Sequence, residues 1–290
     1  MNRVWFNGAI LDGPLALDAG DRGLLLGDGI FETVLVLNRT PLWGNMHLAR
    51  MESSARELGL GFQRAEIDDA ISAILDGIDE SHHVLRITLT RGSAARGLGA
   101  NGGSPALLLS LDRFDPALMF QKATLVTSAV RRNPHSVASR LKTTSYIDNI
   151  AAAREASARG ADDALMLNID GNAACSTIAN LFVLKDGRLI TPARDQAILT
   201  GVMRQVLIAA AAHIGILTEE RAVEPAELLA ADAVFLTNSL RFIRPVTALD
   251  QQPLSAFDLS NLMAALSDAA RLQCGRDPRA SDEQVASLAK

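Results

Sequence analysis

Residues 139–149 read Ser-Arg-Leu-Lys-Thr-Thr-Ser-Tyr-Ile-Asp-Asn, which places Lys142 just before a run of small hydroxyl residues. An alanine-rich helical pattern then covers residues 146–158. The stretch predicts a strand-to-helix junction with a lysine at its corner. Desolvation at such a corner disfavours the charged ammonium and leaves the amine a nucleophile toward carbonyls. Lysine is scarce: the 28 basic residues include only Lys122, Lys142, Lys185 and Lys290. Lys122 lies near a linker, Lys185 in a turn and Lys290 at the end, so Lys142 alone has a chemical setting. Tyr146, the single tyrosine, lies four residues on and shares a helical face with Lys142 if the helix covers both. Taken singly, Lys142 also fits an exposed lysine near a helix start.

Outward from this stretch, the chain alternates strand and helix signals. Arg3-Val4-Trp5-Phe6 runs into Asn7-Gly8, a hairpin signal. Residues 30–37 predict a strand, 47–58 a helix ended by Gly59, and 68–78 a second helix. Leu85, Ile87 and Leu89 alternate with Arg86, Thr88 and Thr90, the pattern of a half-buried strand. Further strands are expected at 106–111, 123–129, 164–167, 181–184 and 233–236, and further helices at 201–214 and 259–272. Polar, Pro-containing residues 112–116 mark a domain boundary. The expected layout is a domain over 1–115, a second over 116–274 and a frayed polar tail over 275–290, in an α/β (α+β) class.

Composition narrows the function. The 290 residues are 48% hydrophobic with net charge −5, a soluble globular profile that disfavours nucleic acid or an anionic membrane as partner. No apolar run reaches the length of a membrane span. Two cysteines, Cys175 and Cys274, exclude a disulfide framework and point to a reducing cytoplasm. No Cys/His metal spacing occurs, so no metal is expected. An inward Arg50 could clamp a phosphate bidentately, though a solvated helix-face arginine is the plainer reading. Thr200-Gly201-Val202-Met203 opens a long helix whose free N–H groups make an anion site, or an ordinary cap. Asn238 and Ser239 end a buried-looking strand. A phosphate clamp plus a Schiff-base lysine is the minimal equipment for pyridoxal phosphate.

Six segments, in order, resemble the fold type IV pyridoxal-phosphate enzymes, the class IV aminotransferases. They are residues 21–33 (Asp-Arg-Gly-Leu-Leu-Leu-Gly-Asp-Gly-Ile-Phe-Glu-Thr), His47-Leu-Ala-Arg50-Met51, Lys142-Thr-Thr-Ser-Tyr146 with Asn149, Ala179-Asn-Leu-Phe182, Leu199-Thr-Gly-Val-Met-Arg204, and Asn238-Ser239 before Pro245-Val246. The family includes branched-chain and D-amino-acid aminotransferases and aminodeoxychorismate lyase. Residues 132–135 and 195–205 resemble the lyase branch. The resemblance implies a small N-terminal α/β domain, a larger C-terminal pseudo-barrel domain with the cofactor between them, and a homodimer. It assigns Lys142 to the internal Schiff base and to proton shuttling, and Arg50 to the phosphate. The Val202 and Met203 N–H groups, with Asn238 and Ser239, complete the phosphate cup. Leu199 packs on the pyridine face, while Arg96 and Phe31 line the substrate pocket.

Three positions depart from the pattern of the family or of one of its branches. Five residues before Asn180, where a glutamate usually pairs with the pyridine nitrogen, stands Cys175. A thiol is a weak, neutral donor, so either another group serves the nitrogen or Cys175 is only a small buried filler. Three residues after Asp21, where lyases carry a threonine, stands Leu24, which favours transamination over β-elimination. Leu98 two positions after Arg96 departs from the histidine of D-amino-acid enzymes. The expected function is an aminotransferase acting on amino-acid and 2-keto-acid substrates. The alternatives are aminodeoxychorismate lyase and a cofactor-binding dimer of weak catalysis.

Overall fold

The computed structural model describes residues 3–99 and 103–280. The chain is a mixed α/β protein that divides into two compact units. Unit one holds the chain through Asp115, Leu141–Ser145 and the stretch from Gln273; unit two holds Pro116–Arg140 and Tyr146–Leu272.

Unit one is a six-stranded antiparallel sheet in the order β2-β1-β6-β5-β3-β4. Its strands are β1 (Arg3–Phe6), β2 (Ala9–Leu11), β3 (Gly29–Leu37), β4 (Thr40–Pro41), β5 (His83–Thr90) and β6 (Ala106–Arg113). Asn7 (φ 43°) and Gly8 (φ 102°) make the two-residue hairpin expected of them. Helices α1 (Arg22–Leu26), α2 (Gly44–Leu58) and α3 (Arg64–Leu75) accompany the sheet. The helix expected at 68–78 starts four residues earlier and ends three earlier. Its buried stripe is Ile67, Ala70 and Ile74, with Arg64 pairing Asp68 one turn on at 2.9 Å. On β3, Ile30, Val34 and Val36 join Leu48, Met51 and Ala55 of α2 in one apolar core.

The lysine segment belongs to this sheet. Phe31 N–H donates to the Lys142 carbonyl at 2.9 Å, and Thr144 N–H donates to the Gly29 carbonyl at 2.9 Å. Residues 142–144 therefore line the edge of β3 that β5 leaves open, which is why Lys142 falls in unit one rather than with 116–274. The chain from 275 also departs from a frayed tail. Through Ala280 it packs on unit one: Arg276 Nη1 donates to the Glu80 carbonyl at 2.7 Å, and His82 Nε2 lies 3.3 Å from the Pro278 carbonyl. Residues 281–290 lie outside the described residues.

Unit two contains β7 (Ala123–Arg132), β8 (Asp163–Asn168), β9 (Ala173–Ser176), β10 (Asn180–Lys185), β11 (Arg188–Pro192), β12 (Thr218–Arg221), β13 (Ala233–Asn238), β14 (Phe242–Leu249) and β15 (Gln252–Pro253). The order β10-β13-β14-β7-β8-β9 returns on itself because β9 also pairs β10, through Asn180 opposite Cys175. A six-stranded barrel closes at that rung. Closure leaves no open edge within the ring. Helices α4 (Val137–Arg140), α5 (Ile147–Ala158), α6 (Val202–His213), α7 (Pro225–Leu229) and most of α8 (Ser260–Cys274) belong to this unit. α5 begins at Ile147 with Tyr146 as its N-cap, so Lys142 precedes the helix and shares no helical face with Tyr146. No helix among the described residues is long and apolar enough to cross a membrane.

Candidate active site

In unit one, β3 sends alternate side chains to opposite faces. Glu32 points with Ile30 and Val34 toward α2, at a position where the pattern calls for an apolar residue. α2 presents His47 and Arg50 one turn apart on its inward face. Arg50 grips Glu32 with two parallel bonds, Nε to Oε1 at 2.8 Å and Nη2 to Oε2 at 2.5 Å. His47 Nδ1 lies 2.7 Å from Oε2. Glu32 and His47 are both 1% exposed. Burial alone would raise the Glu32 pKa, but the Arg50 charge and the bonds from His47 and Arg50 outweigh it and hold the carboxyl down to about 2. Burial pushes the His47 imidazole below its ordinary value, although Glu32 opposes this, so at neutral pH a neutral ring donates from Nδ1.

On the other face, Phe31 lies opposite Thr88, and Arg86 lies two pairs further along β5, opposite Thr33. The Arg86 guanidinium carbon sits 3.8 Å from the Phe31 ring centroid, and Lys142 Nζ sits 4.4 Å from it. Two cations thus share one aromatic ring. Lys142 is half-buried. Burial pushes its ammonium down to about 8; Glu32 opposes that, while Arg50 and Arg86 reinforce it. With a pKa near 8, about a tenth of the amine is neutral at pH 7, far more than in an ordinary lysine, and this neutral form is the one that attacks a carbonyl.

In unit two, loops gather around the ends of β10 and β13. Asn180 lies opposite Thr237 in the ladder, and its Nδ2 donates to the Leu199 carbonyl at 2.8 Å. Gly201 packs against the same carboxamide, where an added Cβ would lie 2.2 Å from Asn180 Oδ1. Only glycine fits there. α6 then starts at Val202 with no side chain capping its first N–H groups, and Val202 and Met203 are its first two residues. Such a twelve-residue helix directs its positive end at whatever fills that position. Thr237 Oγ1 is buried without a partner among the described residues. Half-buried Ser239 follows the strand. Asn238 directs its side chain into its own turn, accepting from the Leu240 and Arg241 N–H groups at 3.0 and 2.8 Å. Any cofactor contact from Asn238 must therefore come mainly from its backbone.

Cys175 sits at the barrel rung within an apolar cluster that includes Met166 and Ile198. Burial pushes its thiol up, against the opposing influence of Arg132, so it stays neutral. That suits a buried filler better than a partner for a protonated ring nitrogen. Arg96 lies exposed on the loop after β5, with no hydrogen bond or ion pair to its side chain among the described residues. Leu24 is 62% exposed on α1.

The structure therefore gathers Lys142, Phe31 and Arg50 in unit one, and Leu199, Val202, Met203, Asn238 and Ser239 around adjoining strand ends in unit two. Glu32, His47 and Arg86 were missed from sequence. Glu32 carried a readable signal, a charge at a core-facing position; Arg86 needed the β3–β5 register to place it over Phe31. As a test of fit, the depressed lysine suits an aldehyde, and the uncapped α6 terminus with the buried Thr237 hydroxyl suits a phosphate. Cys175 does not suit the pyridinium.

The chain is thus a mixed α/β protein of two compact units. The family described as "Amino-transferase class IV" matches residues 29–249. Most of the chain lies in that match, and the chain belongs to this family. It is 27% identical over 261 residues to D-alanine aminotransferase of Bacillus licheniformis, covering 88% of this chain and 90% of that protein. The solved 4-amino-4-deoxychorismate lyase of Pseudomonas aeruginosa is 30% identical with a TM-score of 0.80, covering 92% of this chain and 98% of that one. A branched-chain aminotransferase structure from Thermoproteus uzoniensis gives a TM-score of 0.86 at 23% identity, covering 98% and 97%, a likeness of fold.

Proposed function

We propose that the protein is a pyridoxal-phosphate-dependent aminotransferase that moves an amino group between an amino acid and a 2-keto acid. The observation that carries this reading is Lys142, its amine depressed to about 8 beside Phe31 and the Glu32–Arg50 pair. When bound, pyridoxal phosphate supplies an aldehyde for Schiff-base chemistry and a conjugated ring that accepts electrons. The residues that would hold the phosphate are Arg50, the Val202 and Met203 N–H groups, Ser239 and the Asn238 backbone, and Leu199 would lie against the ring. Lys142 Nζ, lying beside Phe31, would be the base that takes the proton from the amino acid's Cα and the acid that returns it. Arg86, across Phe31 from the amine, and the exposed Arg96 orient carboxylates of the substrate. Exposed Leu24, Leu25, Leu26 and Leu98 support a homodimer. The two free, buried cysteines accord with a cytoplasmic setting.

Borohydride reduction of cofactor-saturated protein, followed by mass spectrometry, should place the adduct on Lys142. Capture of the cofactor should accelerate as pH rises through about 8. An adduct on another lysine, or none, would overturn the reading. Amino acids should convert the bound cofactor to its amine form with release of keto acid. The lyase reading is supported by the 30% identity to the Pseudomonas enzyme. Leu24 weighs against it, since an exposed aliphatic side chain moves no proton. Pyruvate release from aminodeoxychorismate without transamination would decide for the lyase. Cofactor binding with neither reaction would decide for the weakly catalytic dimer.

A further inference from the structure

We propose that Asp28, held between Arg22 and Arg91, is the positioning residue that fixes the Arg96 loop relative to the lysine segment. The inference rests on the reading that Arg96 receives a substrate carboxylate. Asp28 Oδ2 accepts from Arg22 Nε at 2.9 Å and from Arg91 Nε at 2.8 Å, and Oδ1 accepts from Arg91 Nη2 at 3.2 Å. The other ends of Arg22 reach the loop: Nη1 donates to the Gly97 carbonyl at 2.8 Å and Nη2 to the Leu98 carbonyl at 3.0 Å. Arg91 reaches the end of α2, with Nη2 on the Leu58 carbonyl at 2.8 Å and Nη1 on the Gly59 carbonyl at 2.9 Å.

The residues flanking Asp28 hold the lysine segment. The Gly29 carbonyl accepts from Thr144 N–H at 2.9 Å, and the Gly27 carbonyl from Ser145 Oγ at 3.3 Å. Gly27 has φ 67°, and a Cβ there would meet Ser145 Oγ at 2.4 Å. The Asp28 carboxylate thus ties α2 and the loop through Arg91 and Arg22, while the main chain on either side of it holds the amine-bearing segment. Residues 95–99 are all exposed, so no apolar packing fixes them. Their conformation depends on the two charge-assisted bonds from Arg22, which is 7% exposed and oriented by Asp28. The backbone of the loop is held while the Arg96 side chain projects from it.

Asp28→Asn should speed tryptic cleavage after Arg96 at least tenfold and raise amide exchange across 94–99. It should raise KM for the amino donor about tenfold, with kcat within threefold and the trapped adduct still on Lys142. Asp28→Glu should restore part of the protection. Unchanged cleavage and exchange in Asp28→Asn would overturn the proposal, as would losses of kcat and cofactor binding with the loop still protected. Should Asp28→Asn fail to fold, Arg22→Gln removes the loop bonds while sparing the Arg91–Asp28 pair, and the same readouts decide. Loop protection is measured without cofactor or substrate. Failure of the wild-type protein to form the Lys142 adduct would therefore sink the aminotransferase reading and leave this one to its own result.

Discussion

Glu32 is the buried carboxylate on which His47 and Arg50 converge. Its carboxyl lies near 2 in the folded protein against an ordinary value of 4.5. The folded pKa is the lower one, so its contribution is complete above about 4.5 and is lost as pH falls toward 2. Each pKa unit is worth about 1.4 kcal/mol, which makes that contribution on the order of 3 kcal/mol. His47 adds an earlier component. Its folded pKa lies below 6.5, so the unfolded chain takes the proton first and stability begins to fall below that value. Glu32→Gln should cost about 3 kcal/mol at neutral pH, because Arg50 keeps a buried charge without its carboxylate. It should also flatten the acid limb between 4.5 and 2. Urea midpoints from pH 7 to 3 check both; a variant whose midpoint follows the wild-type acid limb would refute the assignment. Much of this residue-scale picture was legible in sequence. Lys142 stood out by scarcity and by the hydroxyl residues after it, and Arg50 by its helix. Glu32 lay inside a quoted motif without a role, since sequence shows a charge on a strand but not the α2 partners that make burial tolerable.

At the scale of elements, α6 and its entry turn carry the clearest dependence. Gly201 admits no side chain because the Asn180 carboxamide already occupies that space. Gly201→Ala should displace Asn180, release the Leu199 carbonyl and cost about 1–3 kcal/mol through overpacking. The cofactor dissociation constant should rise tenfold or more, measured by fluorescence titration; an unchanged constant would mean that the entry turn takes no part in binding. Sequence periodicity located α2, α5, α6 and the strands β1, β3, β5, β6, β7, β8, β10 and β13 to within a few residues. Short pieces escaped it. β9 is four residues and β12 four, too brief for a period to register, and β14 contains Pro245, which its place in the barrel tolerates. Arg86 was read as the outward side of a half-buried strand. That was right about its face and silent about Phe31, because the pairing register is a long-range fact.

For the whole molecule, the C-terminal stretch is part of a fold rather than an appendage. Asn38 Nδ2 donates to the Cys274 carbonyl at 2.8 Å, and Arg276 is 8% exposed despite its polar neighbours. Polar composition suggests fraying because it cannot report that a guanidinium finds a backbone carbonyl 196 residues away. Arg276→Ala should remove about 1–3 kcal/mol and lower Tm by several degrees, while Leu272→Ala, at a position 87% exposed, should leave Tm unchanged. Equal melting of the two variants would show that the stretch contributes nothing to stability.

The rung that joins Asn180 to Cys175 is a main-chain ladder pairing, so its closure does not itself call on the thiol. Chemistry and architecture are decoupled there. An acidic group installed as Cys175→Glu should accelerate Cα-proton removal in a stopped-flow half-reaction by roughly tenfold to a hundredfold, the equivalent of one charged hydrogen bond. An unaltered rate in a well-folded variant would show that the thiol is a spectator. A faster, well-folded variant would mark position 175 as a dial for electron demand that can be turned without dismantling the scaffold.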